Sequence, residues 1–262
     1  MKRLLGLLLA TALAAAGCSS GGGSSDLTAV AAAIRELEQK GAAFTYTDNL
    51  VESGGSLAGG SVAQAQFLAA GVAHDDNVSL LLTELDSAGK TAAIYDLVIN
   101  DSYLFVRPHG MTRAWYVGAA ALANHFYPGV RLNLLRETVL LATKGSRATG
   151  YSNGAFLNQY TITAAPDQLV QLLSVTVAPD KESGFLKSAH LTIEASLTTS
   201  GHLQRLDLHA VGTDPASNLH RVFDSSMTFS RIGQVTDPTI PTTAVAVQPM
   251  DMFSTAATPT GP

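Results

Sequence analysis

The sequence predicts an α+β fold in which one large antiparallel sheet carries its helices on one face. Short alternating segments separated by turns follow one another, which is typical of an antiparallel meander. Apolar residues at helical spacing occur both before and after that meander. Of the 262 residues, 46% are hydrophobic and only 14% are charged, against about 25% charged in an average globular chain. We therefore expect one domain with a sizeable apolar core.

The first predicted helix runs from Ser25 to Gly41. Ser25 can cap its first turn, where Asp26 is favoured by the helix dipole, and Gly41 is a typical helix stop. One apolar stripe at helical spacing consists of Leu27, Val30, Ile34 and Leu37. This stripe predicts that the helix lies on another element.

Five strands are predicted after this helix, separated by turns rich in Gly, Asp and Asn. They cover residues 43–51, 61–74, 78–85, 91–99 and 103–107. Two helices are then predicted, an alanine-rich one over 115–126 and a second from Pro128 to Lys144.

The second half of the chain predicts a further strand over 155–163 and a short helix over 166–173. Phe156, Tyr160 and Ile162 fall on one side of that strand. Three alternating strands complete the domain, at residues 189–198, 203–211 and 219–232. Five of the ten prolines follow Gly233, so an irregular segment from residue 242 and a tail over 246–262 are expected.

The N-terminus has the pattern of an export signal. Lys2 and Arg3 precede an apolar stretch over residues 4–14, which is too short to span a bilayer with ordinary flanks. Small residues and then Cys18 follow, an arrangement that resembles a bacterial lipobox, although Ala15 stands where Leu is usual. We therefore predict a signal peptide over residues 1–17 and lipidation of Cys18. Residues 18–25 are Gly and Ser apart from the cysteine, the composition of a tether.

Cysteine count and charge exclude several classes of protein. Cys18 is the only cysteine, so no intrachain disulfide framework or multi-cysteine metal site can form. Removal of the signal leaves 14 Lys and Arg against 21 Asp and Glu, a formal charge of −7. Because no basic field is present, nucleic acid is not an expected partner. No cofactor is expected either.

A family resemblance rests on a few positions in the middle of the chain. The segment Val98-Ile99-Asn100-Asp101 turns into a strand from Tyr103, and Trp115 and an apolar helix come after it. Together with the lipobox, this order resembles the mycobacterial LppX and LprG lipoproteins, which belong with the LolA and LolB carriers. The resemblance implies a curved half-barrel whose concave face is covered by helices. It also implies a hydrophobic cavity for acyl chains within a single domain over residues 26–245.

The alternation of the strands identifies candidate residues for the lining of that cavity. They share one face of the predicted sheet and are apolar: Phe44, Tyr46, Ala93, Tyr95, Leu97, Ile193, Leu206, Phe223, Met227 and Phe229. The same alternation is expected of a filled core, so the pattern alone leaves both interpretations open. No catalytic residue is implied by the resemblance.

Two chemical alternatives arise from short patterns. The stretch Gly150-Tyr151-Ser152-Asn153-Gly154 has the letters of a nucleophile elbow, which would make Ser152 the nucleophile of a secreted hydrolase. Its flanks do not predict a strand before it and a helix after it, so a hairpin or loop is favoured. A surface metal site is the second alternative, since histidines and acids share the polar face of the last three strands. These residues are His190, Glu194, Asp207, His209, His220 and Asp224.

The predicted function is that of a lipid-binding and lipid-transferring lipoprotein on the extracytoplasmic face of the cell membrane. Its expected partners are a lipid or glycolipid ligand, the membrane through lipidated Cys18, and an envelope transport partner. A sensor or assembly factor on the same fold, and a structural envelope protein with a solid core, are the remaining alternatives.

Overall fold

The computed structural model describes residues 23–54, 63–112, 114–119, 132–142, 144–152, 154–164, 188–215 and 217–246. The predicted signal peptide, Cys18, the helix over 166–173 and the tail over 247–262 lie outside these residues.

A twelve-stranded sheet dominates the described part of the chain, in the order β12-β6-β5-β4-β3-β2-β1-β11-β10-β9-β8-β7. Neighbouring strands are antiparallel, except that β12 pairs with β6 in parallel. The strands are β1 Ala42–Gly54, β2 Ala63–His74, β3 Asn77–Leu85, β4 Thr91–Ile99, β5 Tyr103–Pro108, β6 Trp115–Ala119, β7 Lys144–Ser152, β8 Ala155–Ala164, β9 His190–Thr198, β10 Leu203–Asp214, β11 Leu219–Ser230 and β12 Ala244–Ala246.

The sheet is a curved half-barrel, and two helices lie on its concave side, so the predicted α+β fold class is confirmed. Helix α1, Gly23–Lys40, contacts β2 and the strands β7 to β10. Helix α2, Leu132–Leu141, contacts α1 and β8. We call the helix-covered side of the sheet the inner face and the opposite side the outer face.

Helix α1 confirms the predicted apolar stripe, because Leu27, Val30, Ile34 and Leu37 are all buried. The helix begins at Gly23, two residues before the predicted cap at Ser25. It ends where predicted, at Gly41, whose amide donates to Leu37 O at 2.9 Å. Gly41 has a φ of 67°, and a Cβ there would lie 2.8 Å from Val235 Cγ2. Both the conformation and the space therefore require glycine.

An ion pair joins the two helices on the inner face. Arg136 Nη1 of α2 donates to Glu38 Oε2 of α1 at 2.9 Å, and Glu38 is only 13% exposed. Burial raises the pKa of Glu38 above its ordinary value despite the opposing effect of Arg136. The pair therefore fixes α2 against α1 at the cost of keeping a carboxylate largely out of water.

Three predictions about elements are wrong. The alanine-rich helix over 115–126 is contradicted at its start, because Trp115–Ala119 forms β6, which pairs with β5. The aromatic and β-branched side chains of Trp115, Tyr116 and Val117 favour a strand. The helix predicted from Pro128 to Lys144 ends earlier, at Leu141, and Lys144 begins β7. This edge strand has exposed side chains with no apolar alternation. Residues 244–246, predicted to be irregular, form β12.

The segment after β11 is attached to the sheet along its course to β12. Gly233 N donates to Gly41 O at 2.9 Å, and His74 Nδ1 lies 2.5 Å from Asp237 Oδ1. This segment, residues 231–243, therefore connects the middle of the sheet with its β6 edge, where β12 pairs. Neither described helix combines the length and the apolar character that a membrane span requires.

Candidate functional site

Seven of the ten predicted lining residues form one contiguous area of the inner face. Phe44 of β1 pairs with Phe229 of β11, and Tyr46 pairs with Met227, which also pairs with Leu206 of β10. Phe223 and Ile193 extend the area along β11 and onto β9. All seven side chains are at most 8% exposed and belong to the same apolar cluster. The strand pleat brings them together because a strand that buries one face directs every second side chain toward the core.

The other three predicted residues lie on β4, two strands away from β1. Tyr95 and Leu97 are buried and pair with Leu82 and Leu80 of β3, whereas Ala93 is half-buried against the same cluster. Strand β2 separates β3 from β1. The ten residues therefore belong to one inner face but not to one compact patch.

Several buried inner-face residues were not among the ten predicted lining residues. Leu80 and Leu82 of β3, Leu104 and Val106 of β5, and Tyr160, Ile162, Leu208 and Ala210 are buried in the same cluster. Their signal was present in the sequence, because each continues the alternation of its own strand. Burial of this kind is expected of a filled core and of the wall of a ligand-binding space alike. Assignment of the ten residues to ligand binding therefore stays a prediction.

Asp48 and Ser225 interrupt the apolar inner face, and the sequence reasoning did not single them out. Asp48 follows Phe44 and Tyr46 in the alternation of β1, and its cross-strand partner on β11 is Ser225. They are 4% and 6% exposed. Burial raises the pKa of Asp48 to about 8, the nearby Asp224 acts in the same direction, and Tyr46 and the Asn49 backbone oppose the change. The carboxyl group is therefore mainly protonated at neutral pH.

The same side of β1 becomes charged near its C-terminal end. Arg221 Nε of β11 donates to Glu52 Oε1 at 2.6 Å, and both side chains are partly exposed. Leu50 lies between Asp48 and Glu52 in the alternation of β1. Along the described strands, the inner face thus has an apolar interior that contains the Asp48 carboxyl group, and a partly exposed ion pair closer to its edge.

The outer face does not assemble the metal site that the histidine pattern left as an alternative. His209 Nδ1 lies 2.5 Å from Asp224 Oδ1, but Asp207 is bonded to Arg205, with Nε to Oδ2 at 2.7 Å. His220 contacts the Thr213 hydroxyl at 3.0 Å instead of the other histidines. His190 pairs in register with Val211, and Glu194 with Asp207. Within the ranges that the structure describes, no three His, Cys, Asp or Glu side chains are grouped to hold a metal ion.

The segment around Ser152 is a β-hairpin, as the sequence favoured. Strands β7 and β8 pair up to Ser152 and Ala155, and Gly154 in the turn has a φ of 82°. A nucleophile elbow requires a helix after the turn, and here a strand follows. The hairpin end carries Tyr151 and Phe156, whose rings meet edge to face at 5.0 Å.

The positions that carried the family resemblance have structural contacts. The Asn100 side chain accepts bonds from the backbone amides of Ser102 at 3.0 Å and Tyr103 at 2.7 Å, which forms the turn between β4 and β5. The Trp115 ring lies under the Arg107 guanidinium, 4.4 Å from its centroid. Arg107 Nε also donates to Asp96 at 3.0 Å. These residues therefore stabilise the β4, β5 and β6 edge of the sheet.

Two grooves lie on the outer face. The larger, of about 840 Å³, lies beside the segment 237–239 and includes Trp115, Arg107, Ala70 and Leu81. The smaller, of about 480 Å³, is bordered mainly by polar residues of β1, β9, β10 and β11. Asp48, Leu208 and Ser225 also border it, although their side chains alternate to the inner face. Neither has an apolar lining comparable with that of the inner face.

Comparison with known structures gives matches at low sequence identity. The lipoprotein LppX from Mycobacterium tuberculosis matches with a TM-score of 0.42 and 11% identity, over 81% of this chain and 97% of that one. LprF from Mycobacterium bovis matches with a TM-score of 0.41 and 8% identity, over 82% and 96%. A LolA superfamily protein from Nitrosomonas europaea matches with a TM-score of 0.33 and 7% identity, over 79% and 94%. No family model and no curated protein matches the chain.

Proposed function

We propose that this protein is a membrane-anchored bacterial lipoprotein that binds acyl chains of lipids or lipidated molecules on its inner face. In this proposal residues 26–245 form a single lipid-binding domain, and the bound molecule is transferred across the cell envelope. No catalytic step is involved.

The observation that carries the proposal is the breadth of the apolar inner face. Buried apolar side chains continue over nine neighbouring strands, from Leu104 and Val106 on β5 to Tyr160 and Ile162 on β8. At about 4.8 Å per strand, this face is nearly 40 Å wide. Acyl chains suit such a surface, because each methylene removed from water contributes about 0.8 kcal/mol. The family resemblance supports the same ligand class.

The proposed location depends on the N-terminus. Signal cleavage after residue 17 and lipidation of Cys18 would attach the domain to the extracytoplasmic face of the membrane through residues 18–25. A single acyl chain binds a membrane only marginally, with a constant of about 10⁴ M⁻¹, so two or more chains are expected on Cys18. Intact-mass analysis of the membrane fraction tests this prediction. Unmodified Cys18, or a mature N-terminus downstream of it, would contradict the anchor.

Native mass spectrometry tests lipid binding itself. The full chain with Cys18→Ser, which cannot be acylated at that position, should be purified without detergent from a bacterial host. We expect a mass increment that organic extraction removes and that is identified as acyl lipid. A chain that carries no lipid, and takes up none from vesicles, would favour the structural envelope protein. The burial of nine of the ten candidate residues is the observation that supports this second candidate.

A further inference from the structure

Asp48 and Ser225 are exceptional among the buried side chains. Across the parts of the chain that the structure describes, the buried polar or charged residues are Asp48, Ser225 and Thr138. Thr138 belongs to α2 and takes part in an interaction there. Asp48 and Ser225 instead lie opposite each other on β1 and β11, within the apolar inner face.

Each of the two side chains has one polar atom that the fold does not use, although Tyr46 and the Asn49 backbone contact the Asp48 carboxyl group. Asp48 Oδ1 and Ser225 Oγ are buried and form no hydrogen bond with any described residue. A buried polar group without a partner destabilises a protein by about 1 to 3 kcal/mol. Two such groups side by side, on the surface proposed to contact ligand, therefore indicate a hydrogen-bonding role that the protein's own contacts do not fulfil.

Neighbouring side chains supply no counter-charge to this pair. The inward-facing neighbours are Tyr46 and Leu50 on β1, Phe67 on β2 and Leu208 on β10. Asp224 of β11 acts on Asp48, and its negative charge opposes ionisation of the Asp48 carboxyl group. Glu52 and Arg221 lie two inward-facing positions further along β1 and β11, and they pair with each other.

The chemistry of the pair selects a neutral hydrogen-bond acceptor. A protonated carboxyl group and a serine hydroxyl can each donate one hydrogen bond. A phosphate or a free carboxylate would be placed beside an acid in an apolar environment, which is unfavourable. An ester or amide carbonyl accepts both bonds without bringing a charge.

We infer that Asp48 and Ser225 form a polar contact site in the inner wall that binds the ester or amide carbonyl of a neutral acyl lipid. The inference rests on the proposed lipid binding and adds a chemical selectivity to it. Hydrocarbon chains would be held by the apolar face, and the carbonyl would fix the position of the chain along β1 and β11.

The test compares two neutral probes with the same hydrocarbon chains. Dioleoylglycerol carries two ester carbonyls, and its dioleyl ether analogue carries none. Both are titrated at pH 6 against the delipidated full chain with Cys18→Ser. We expect a preference of about tenfold for the ester, which corresponds to one or two net hydrogen bonds.

Substitutions assign that preference to the pair. Asp48→Leu and Ser225→Ala should each reduce the preference for the ester while leaving affinity for the ether unchanged. Asp48→Asn, which keeps a donor, should retain much of the preference. Thr47→Leu, at the neighbouring outward-facing position of β1, is the matched control and should behave like the unsubstituted domain. Melting curves of each variant verify that it is folded, and Asp48→Leu is expected to melt no lower than its parent because it removes an unpartnered polar group.

The outcomes separate the inference from the proposed function. Equal affinity for ester and ether in the parent, or loss of both affinities in Asp48→Leu, would overturn the carbonyl site while lipid binding stands. If neither probe nor any other lipid bound, both the site and the proposed function would fall. Ester preference that disappears in Asp48→Leu and Ser225→Ala but persists in Asp48→Asn and Thr47→Leu would establish the site.

Discussion

Asp48 on the inner face differs from three acidic side chains on the outer face in its exposure and its contacts. On the outer face, Asp96, Asp207 and Asp224 each contact a cationic or imidazole partner at 3.0 Å or less. On the inner face, Asp48 is 4% exposed and has an oxygen without a partner. The positions of the three outer-face aspartates are explained by contact with solvent and by pairing with neighbouring side chains on the strands. Asp48 costs stability where it is, so it is the residue whose presence demands a functional explanation.

The largest expected effect concerns the pH dependence of stability. Because its pKa is raised from 3.8 to about 8, Asp48 keeps its proton in the folded chain between these values and loses it on unfolding. The unfolded state then binds fewer protons, so stability should fall by about 1.4 kcal/mol for each pH unit over this window. Urea unfolding at several pH values measures the slope.

Asp48→Asn should remove this slope, so its stability relative to the parent should increase from pH 5 to pH 8. Asp207→Asn on the outer face is the control and should leave the slope in place. A parent and an Asp48→Asn variant with parallel pH profiles would show that the carboxyl group is not buried as described.

An intermediate effect is expected from the ion pair between the helices. Arg136→Ala leaves Glu38 buried without its partner, and we expect a loss of about 2 kcal/mol, between the values for exposed and fully buried pairs. Lys90→Ala, at an exposed position of the turn between β3 and β4, should change stability by less than about 0.5 kcal/mol. Chemical unfolding measures both. Equal effects of the two substitutions would mean that the pair does not hold α2 on the inner face.

The smallest effect should come from the contact between β2 and the segment after β11. A hydrogen bond to Asp237 raises the pKa of His74, so this contact stabilises fully below the ordinary histidine pKa and loses its effect as the pH rises through the raised value. Since Asp237 is largely exposed, the contribution should stay under about 1 kcal/mol.

Asp237→Asn should therefore lower stability at pH 5.5 and have little effect at pH 9, measured by thermal unfolding in matched salt. A larger loss at pH 9 than at pH 5.5 would reverse the sign and reject this assignment.

The sequence predicted the parts of the fold that bury one face. Strands β1, β4 and β9 to β11 alternate clearly, because a one-residue slip would turn their apolar side chains to water. Strands at or near an edge lack this constraint, and so β7 was not predicted as a strand and β6 was assigned to an alanine-rich helix. At β6, pairing with β5 outweighs the helix propensity of the alanines that follow Trp115.

The candidate site was predicted only as far as apolar residues mark it. Phe44 and Tyr46 were chosen because they are aromatic, and the selection ended at Asp48, although the pleat directs its side chain to the same face. A search by strand position instead of residue type would have included it. Nothing in the sequence indicates that Asp48 lies opposite Ser225, because the register between β1 and β11 joins segments about 170 residues apart.

A pair of matched substitutions tests the central claim, that the inner face binds lipid, most directly. Ala93 on the inner face of β4 is half-buried against the apolar cluster, and Ala92 beside it is exposed where the pairing of β4 with β3 shifts by one residue. Each is changed to Trp in the chain with Cys18→Ser, and bound lipid per mole of protein is measured beside a melting curve of the delipidated form. We predict that Ala93→Trp loses lipid with little change in melting temperature, whereas Ala92→Trp keeps both. An overfilled core typically loses about 1 to 3 kcal/mol of stability. A loss of this size in Ala93→Trp, together with a parent that binds no lipid, would contradict the claim.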